Sequence, residues 1–118
     1  MDYVFSEDYF NDDNLEEGTY EAEFTDVEVN ENVETKYGVR DRLILRFIVN
    51  DKLIVEKCLI SKSQNSKMYR FITGMTDGDI GKNFHFEDYI GEIFKVEIEN
   101  NKDDKNRIWS NIVAIETL

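Results

Sequence analysis

The chain of 118 residues (14.0 kDa) is 41% hydrophobic and 13% aromatic, enough core-forming material for one compact domain and too much for an intrinsically disordered one. No apolar run approaches the ~18 residues of a membrane span, the acidic start from Met1 to Asp8 lacks the basic and apolar parts of a secretory signal, and the single cysteine, Cys58, excludes an intramolecular disulfide. A cytoplasmic protein is expected. Its net charge of −12 is polarised: residues 1–34 carry thirteen acidic and no basic side chains, residues 36–70 carry nine basic and three acidic ones (Asp41, Asp51, Glu56), and residues 71–118 carry five basic and ten acidic ones. Fields depend on where charges sit, so the overall acidity does not decide the partner of the basic middle.

In chain order, residues 1–17 alternate loosely between aromatic side chains (Tyr3, Phe5, Tyr9, Phe10) and acids, the pattern of an arm rather than of a regular element. A β-rich domain over residues 18–118 follows. In its first strand Tyr20, Ala22 and Phe24 share a face opposite Glu21 and Glu23. Beyond Asp26 the parity flips to Val27 and Val29, which one extra residue at a bulge explains. Asn30 to Gly38 reads as a polar loop. The second strand sets Leu43, Leu45, Phe47 and Val49 inward and Arg42, Ile44, Arg46 and Ile48 outward, and Asn50-Asp51-Lys52 turns it into a third, Leu53 to Ile60. Met68, Phe71, Ile72 and Met75 form one stripe of a helix. Serines at 61, 63 and 66 are available to cap its start, and Gly74 to end it. Gly91 to Glu99 alternates as a fourth strand, Asn100 to Lys105 is a hairpin loop, and Arg107 to Glu116 is a fifth strand. Proline is absent, leaving the turns to Gly, Asn and Asp.

The fold class expected is therefore all-β with one helix. Three strands, a helix and two strands is the element order of the OB-fold, a five-stranded Greek-key barrel with its helix between strands three and four. The chain resembles, over about residues 15–116, the small OB-fold single-stranded DNA-binding proteins of phages, plasmids and conjugative elements. The likeness is carried by Glu17-Gly18-Thr19-Tyr20, by Leu43 to Val49, by the helix from Met68 to Gly74, by Tyr89 to Val96, and by Trp109-Ser110-Asn111-Ile112. It implies binding of single-stranded DNA without sequence preference, by phosphate contacts in a basic groove and by base stacking on aromatic faces.

In such a barrel the ligand lies on the outer face of strands two and three, flanked by the loops between strands one and two and between strands four and five. The residues expected there are Lys36, Tyr37 and Arg40 in the first loop, Arg42 and Arg46 on strand two, Lys57 on strand three, and Lys105, Arg107 and Trp109 beside the second loop, which also carries Lys102. Lys62, Lys67 and Arg70 fall further round, on the helix side. Each has a structural alternative: Arg42 and Arg46 blunt an exposed sheet face equally well, Trp109 packs a core equally well, and Phe84 and Phe86 suit the barrel end better than a base.

Catalysis finds no foothold in the sequence. His85 is the lone histidine, Cys58 reads as a small buried residue, Asp77-Gly78-Asp79 lacks the later ligands of a calcium loop, and no phosphate-cradling glycine loop occurs. No enzyme, metal or cofactor is expected, and no membrane partner. The acidic arm suits masking of the basic groove, recruitment of a replication or recombination protein, or a solvated terminus that keeps the protein soluble, and self-association through a strand edge is a further option. The competing reading is an acidic DNA mimic or protein-binding inhibitor, which would present Asp12, Asp13, Glu16, Glu17, Glu21, Glu23 and Glu28 to the basic channel of a host nuclease or defence effector. A mimic shows its acids as one surface, whereas a DNA binder keeps a basic groove clear of them.

Overall fold

The computed structural model describes residues 15–78 and 84–118. They form five antiparallel strands and one α-helix: β1 (Gly18–Thr35), β2 (Gly38–Val49), β3 (Lys52–Leu59), α1 (Lys67–Thr76), β4 (Ile93–Lys102) and β5 (Ile108–Thr117), with a short 3₁₀ turn at Phe86–Tyr89. All five strands belong to one sheet in the order β3-β2-β1-β4-β5. The sheet is not closed, because β3 and β5 share no hydrogen-bonded ladder among the described residues. Among the described residues no helix is long and apolar enough to cross a membrane.

β1 is shared between two partners. Gly18 to Glu23 pairs with β4 and Glu23 to Thr35 with β2, and the register slips between Phe24 and Asp26. That slip is the bulge the parity change requires: it lets Ala22 and Phe24 before it, and Val27 after it, all face the core. The tight turn into β3 is also as read, with Asn50 and Asp51 both at positive φ (51° and 64°), the conformation a two-residue hairpin needs. The core lies between the curled sheet and α1. Phe24 and Phe47 meet at 5.2 Å, Phe47 stacks on Phe71 of α1 at 6.4 Å, and Leu45, Val49, Val96, Ile98 and Met75 fill the space around them. Phe84, Phe86 and Tyr89 close one end as an aromatic cluster, Phe84 lying 4.8 Å from Phe86 and 5.3 Å from Tyr89.

Three local expectations are corrected. The stretch from Asn30 to Gly38 is not a loop: β1 and β2 run on as a two-stranded ribbon whose turn is only Lys36-Tyr37. Threonine, valine and asparagine in a solvated ribbon leave no burial alternation, so the ladder was invisible as a pattern. Thr35 tightens the turn, its Oγ1 accepting from the Tyr37 N–H (3.0 Å) and donating to the Gly38 carbonyl (2.8 Å). Secondly, Gly74 does not end the helix. α1 continues to Thr76 and stops at Asp77, which takes the left-handed conformation (φ 55°), while Ser66 caps the start by accepting from the Tyr69 N–H. Gly74 instead lies against β5, where a Cβ would overlap the carbonyl oxygen of Ile115. Finally, Ile44 faces outward in parity yet is buried. Its register neighbours Glu28 and Lys57, with Arg42 and Arg46 two positions away, are long side chains whose stems cover apolar surface.

The open seam between β3 and β5 is bridged by one side chain. Glu56 points inward from β3 and is only 2% exposed. Its Oε2 accepts from the Ile112 N–H of β5 (3.1 Å) and its Oε1 from Lys67 Nζ of α1 (2.8 Å). One buried carboxylate thus ties three elements together. Residues 1–14 of the arm lie outside the described residues, but the arm's last residues are docked. Leu15 is buried in the core cluster, its N–H donates to Ser110 Oγ (2.9 Å), and its carbonyl accepts from Asn100 Nδ2 (2.9 Å).

Candidate functional site

Cationic side chains of the middle block converge where the β1–β2 ribbon, the end of β3 and the start of α1 meet. A groove of about 970 Å³ there is lined by Lys36, Tyr37, Arg40, Arg42 and Lys57, by Lys67, and by the polar connection Ser61, Ser63, Asn65 and Ser66. Among the described residues none that lines it is acidic. Alternation along β2 and the antiparallel register produce this convergence: Arg40 and Arg42 project on the same side, and Leu59 and Lys57 of β3 stand opposite Arg42 and Ile44.

The lining groups are held differently. Arg40 Nη2 donates to the Ile60 carbonyl (2.9 Å), which fixes the guanidinium at the groove wall. Tyr37, at the ribbon tip, is 67% exposed with Lys36 Nζ 5.2 Å from its ring centre. One ring face is therefore shared with a cation while the tip stands in solvent. Lys67, about one-third exposed, reaches Glu56 and also donates to the Lys57 carbonyl (3.1 Å). The serines form successive turns on their own backbone: Ser61 Oγ accepts from the Ser63 N–H, and Ser63 Oγ from the Asn65 N–H. Cys58 lines the groove floor, and burial pushes its thiol pKa up, leaving it a poor nucleophile.

Four other expected residues are not part of this groove. Arg46 is clamped between Asp26 (2.8 Å) and Glu28 (2.9 Å) of β1, and the Glu28 bond first, with Asp26 second, raises its pKa. Its charge is cancelled in place. The pairing is a consequence of the bulge, which sets Asp26 beside Arg46 and Glu28 beside Ile44.

Lys105, Arg107 and Trp109 belong to a second cluster on the β4–β5 hairpin, organised by Asp103. Its Oδ1 accepts from the Lys105 and Arg107 N–H groups (2.9 Å each), and its Oδ2 accepts from Arg107 Nε (2.8 Å) and Trp109 Nε1 (3.1 Å). The indole N–H before all, then the backbone and guanidinium donors, hold the Asp103 carboxyl well below the usual carboxylate range. Trp109 is not a core residue: it is 51% exposed, and the Arg107 guanidinium sits 5.5 Å from its ring centre. The indole is thus fixed at its edge and partly open at its face.

Sequence reasoning placed Lys67 round on the helix side and read the serines only as caps, whereas both line the groove. The usable signal was the basic-hydroxylic run from Ser61 to Lys67 entering a helix directly after strand three. Acidic side chains collect on a different part of the sheet. Glu21 and Glu23 of β1, Glu97 and Glu99 of β4 and Glu116 of β5 are exposed there, around a Lys95 that pairs with Glu116 at 3.2 Å. The fold therefore separates charge that the composition averages. Among the described residues no group of three or more His, Cys, Asp or Glu side chains is arranged to hold a metal ion.

No protein-family model matches the chain, and a search of curated proteins finds no relative.

Proposed function

We propose that the chain is a non-enzymatic, OB-type binding domain that holds single-stranded DNA in the groove between the β1–β2 ribbon and the start of α1. The observation that carries this reading is the groove itself: five cationic side chains and an exposed tyrosine line it, with no carboxylate among the described lining residues. Phosphates require such a basic track, and bases require an aromatic face, which Tyr37 offers. The strand order with a bulged first strand shared between β2 and β4, and a helix between β3 and β4, supports the OB reading. In that reading Glu56 takes the place of a β3–β5 ladder. Trp109, edge-fixed by Asp103, supplies a further stacking face at the β4–β5 hairpin.

The test is a fluorescence-anisotropy titration of labelled oligo-dT and a matched duplex over a salt series. With Lys36, Arg40, Arg42 and Lys57 contacting phosphates, log K against log salt should fall with a slope of about −3 for the single strand, at roughly −0.7 per phosphate. Replacing Tyr37 by alanine should weaken binding by ~1–3 kcal/mol, the contribution of one stacked base. Absence of binding at low salt would end this reading.

The acidic DNA mimic is the second reading, favoured by the exposed glutamates of the β1–β4 face. It predicts no oligonucleotide binding in the same titration, together with tight and salt-sensitive association with a basic protein surface.

A further inference from the structure

The basic groove has a neighbour. A second cleft, of about 520 Å³, lies along α1 and β5, and Lys67 lines both. The seam beneath it is closed, by Glu56 on the Ile112 N–H and by α1, whose Gly74 lies against Ile115. The cleft is therefore a surface feature and not a gap between strands. Glu56 is the one acidic residue among its described lining residues, and Lys67 already matches it at 2.8 Å. Arg70 of α1 is exposed and has no ion pair among the described residues. Asn101 and Asn111 contribute amide side chains from β4 and β5.

The cleft leads to Trp109. Asn101 is its register partner on β4, and Asn111 Nδ2 donates to its carbonyl (3.2 Å). Each of the two adjoining grooves thus has an exposed aromatic ring, lining the first and beside the second. Both rings carry a cation, Lys36 Nζ at 5.2 Å from Tyr37 and the Arg107 guanidinium at 5.5 Å from Trp109.

The outer face of β2 and β3 offers a polyanion less. Arg46 is held there by Asp26 and Glu28, and its neighbours on β3 are Val55 and Leu53, 37% and 50% exposed. A neutralised cation among apolar side chains gives phosphates nothing to contact. On the other side, Glu99 stands opposite Asn111 and begins the acidic face of β4. Repulsion from it keeps a phosphate backbone on the α1 side of the cleft.

We infer that a bound single strand passes from the basic groove over Lys67 and along the α1–β5 cleft to Trp109, rather than across the outer face of β2 and β3. The inference rests on the function proposed above and names the path at that site. Arg70 takes one phosphate, Asn101 and Asn111 contact base edges or sugars, and Trp109 stacks one base. The footprint is then longer than the basic groove alone, so short and long oligonucleotides touch different residues.

The experiment titrates the full ¹⁵N-labelled chain with oligo-dT of about four and of about twelve nucleotides, within the range one OB domain covers. The short strand should shift amides from Lys36 to Arg42 and from Ser61 to Ser66. The long one should add Arg70, Asn101, Asn111 and the Trp109 indole N–H, while Leu53 and Val55 stay in place. By anisotropy, Arg70→Ala should weaken the long strand several-fold, lower its salt slope by about 0.7 and leave the short strand unchanged. Arg70 is exposed and alanine is the best helix former, so this variant keeps its fold. Trp109→Ala should weaken the long strand at least about fivefold. Shifts at Leu53 and Val55 in place of Arg70 and Asn111, or shifts confined to the basic groove with both lengths, would overturn the path and leave the groove's function standing. Binding of neither oligonucleotide would end the function and the path together.

Discussion

Replacing Lys67 by methionine strands a carboxylate. Glu56 is 2% exposed and has two partners, the Ile112 N–H at 3.1 Å and Lys67 Nζ at 2.8 Å. Removing the cation leaves an uncompensated charge in the seam, a change that destabilises proteins by ~3–5 kcal/mol when both partners are buried. Lys67 is itself about one-third exposed, at 36%, so part of its attraction to Glu56 is already screened, and the lower end, about 3 kcal/mol, is expected. The reverse change, Glu56→Gln, is milder. The amide oxygen still accepts from Ile112 and the freed lysine reaches water, so about 1 kcal/mol is expected, the net value of one hydrogen bond. Urea denaturation followed by circular dichroism reads both: with a slope of ~2 kcal/mol/M, the midpoints should fall by roughly 1.5 M and 0.5 M. The order of the two is the diagnostic. If Lys67→Met is no more destabilising than Glu56→Gln, the carboxylate is not a buried charge that needs its cation, and the seam is held by something else.

Gly74→Ala exchanges a poor helix former for the best one, a gain of ~1 kcal/mol in isolation. Here the new methyl collides with the Ile115 carbonyl, so net destabilisation of about 1–3 kcal/mol is expected, and a raised melting temperature would refute the close approach. The depressed Asp103 pKa means that its contribution is fully present above the unfolded value near ~3.9 and is lost as pH falls below it toward the folded value. The urea midpoint of the native chain should exceed that of Asp103→Asn by a constant margin between about pH 5 and 8, with the margin shrinking at about pH 3. A margin unchanged at pH 3 would refute the assignment. Arg46→Ala should leave oligo-dT affinity and its salt slope unchanged, since Asp26 and Glu28 already neutralise the guanidinium, whereas Arg42→Ala should reduce the slope by about 0.7. Equal losses in the two variants would mean that Arg46 leaves its carboxylates for phosphate.

Strict alternation made β2 and β4 readable, and the parity flip near Asp26 disclosed the bulge, because one buried face writes a period of two into a strand. The β1–β2 ribbon escaped detection for the opposite reason. Beyond Asn30 no side chain of β1 is fully buried, so backbone pairing holds the ribbon without a hydrophobic signature. Arg46 and Glu56 mark a different limit. Parity put Arg46 outward, and the burial of Glu56 went unread; what parity does not carry is the cross-strand neighbour. Arg46 loses its free charge to residues twenty and eighteen positions earlier, and Glu56 is satisfied by Ile112, fifty-six positions later. Of the expected contact residues, Lys36, Tyr37, Arg40, Arg42 and Lys57 do share one groove, because strand alternation and a hairpin turn are both local. Lys105, Arg107 and Trp109 share instead a carboxylate, Asp103, from their own hairpin.

The long β1 strand has one more consequence. It is anchored between two neighbours at Glu23 and ends in a ribbon where Val29, Val39 and Tyr37 are all exposed, so a single run of amides passes from a sheltered stretch of the sheet to an exposed one. Hydrogen-exchange rates along it should therefore rise stepwise from Phe24 toward Thr35, as opening requires progressively less disruption. Such a gradient is a built-in ruler: any ligand gripping the Lys36-Tyr37 tip would register as slowed exchange at the outer end alone, while one bound at the β4–β5 hairpin would leave those outer amides untouched.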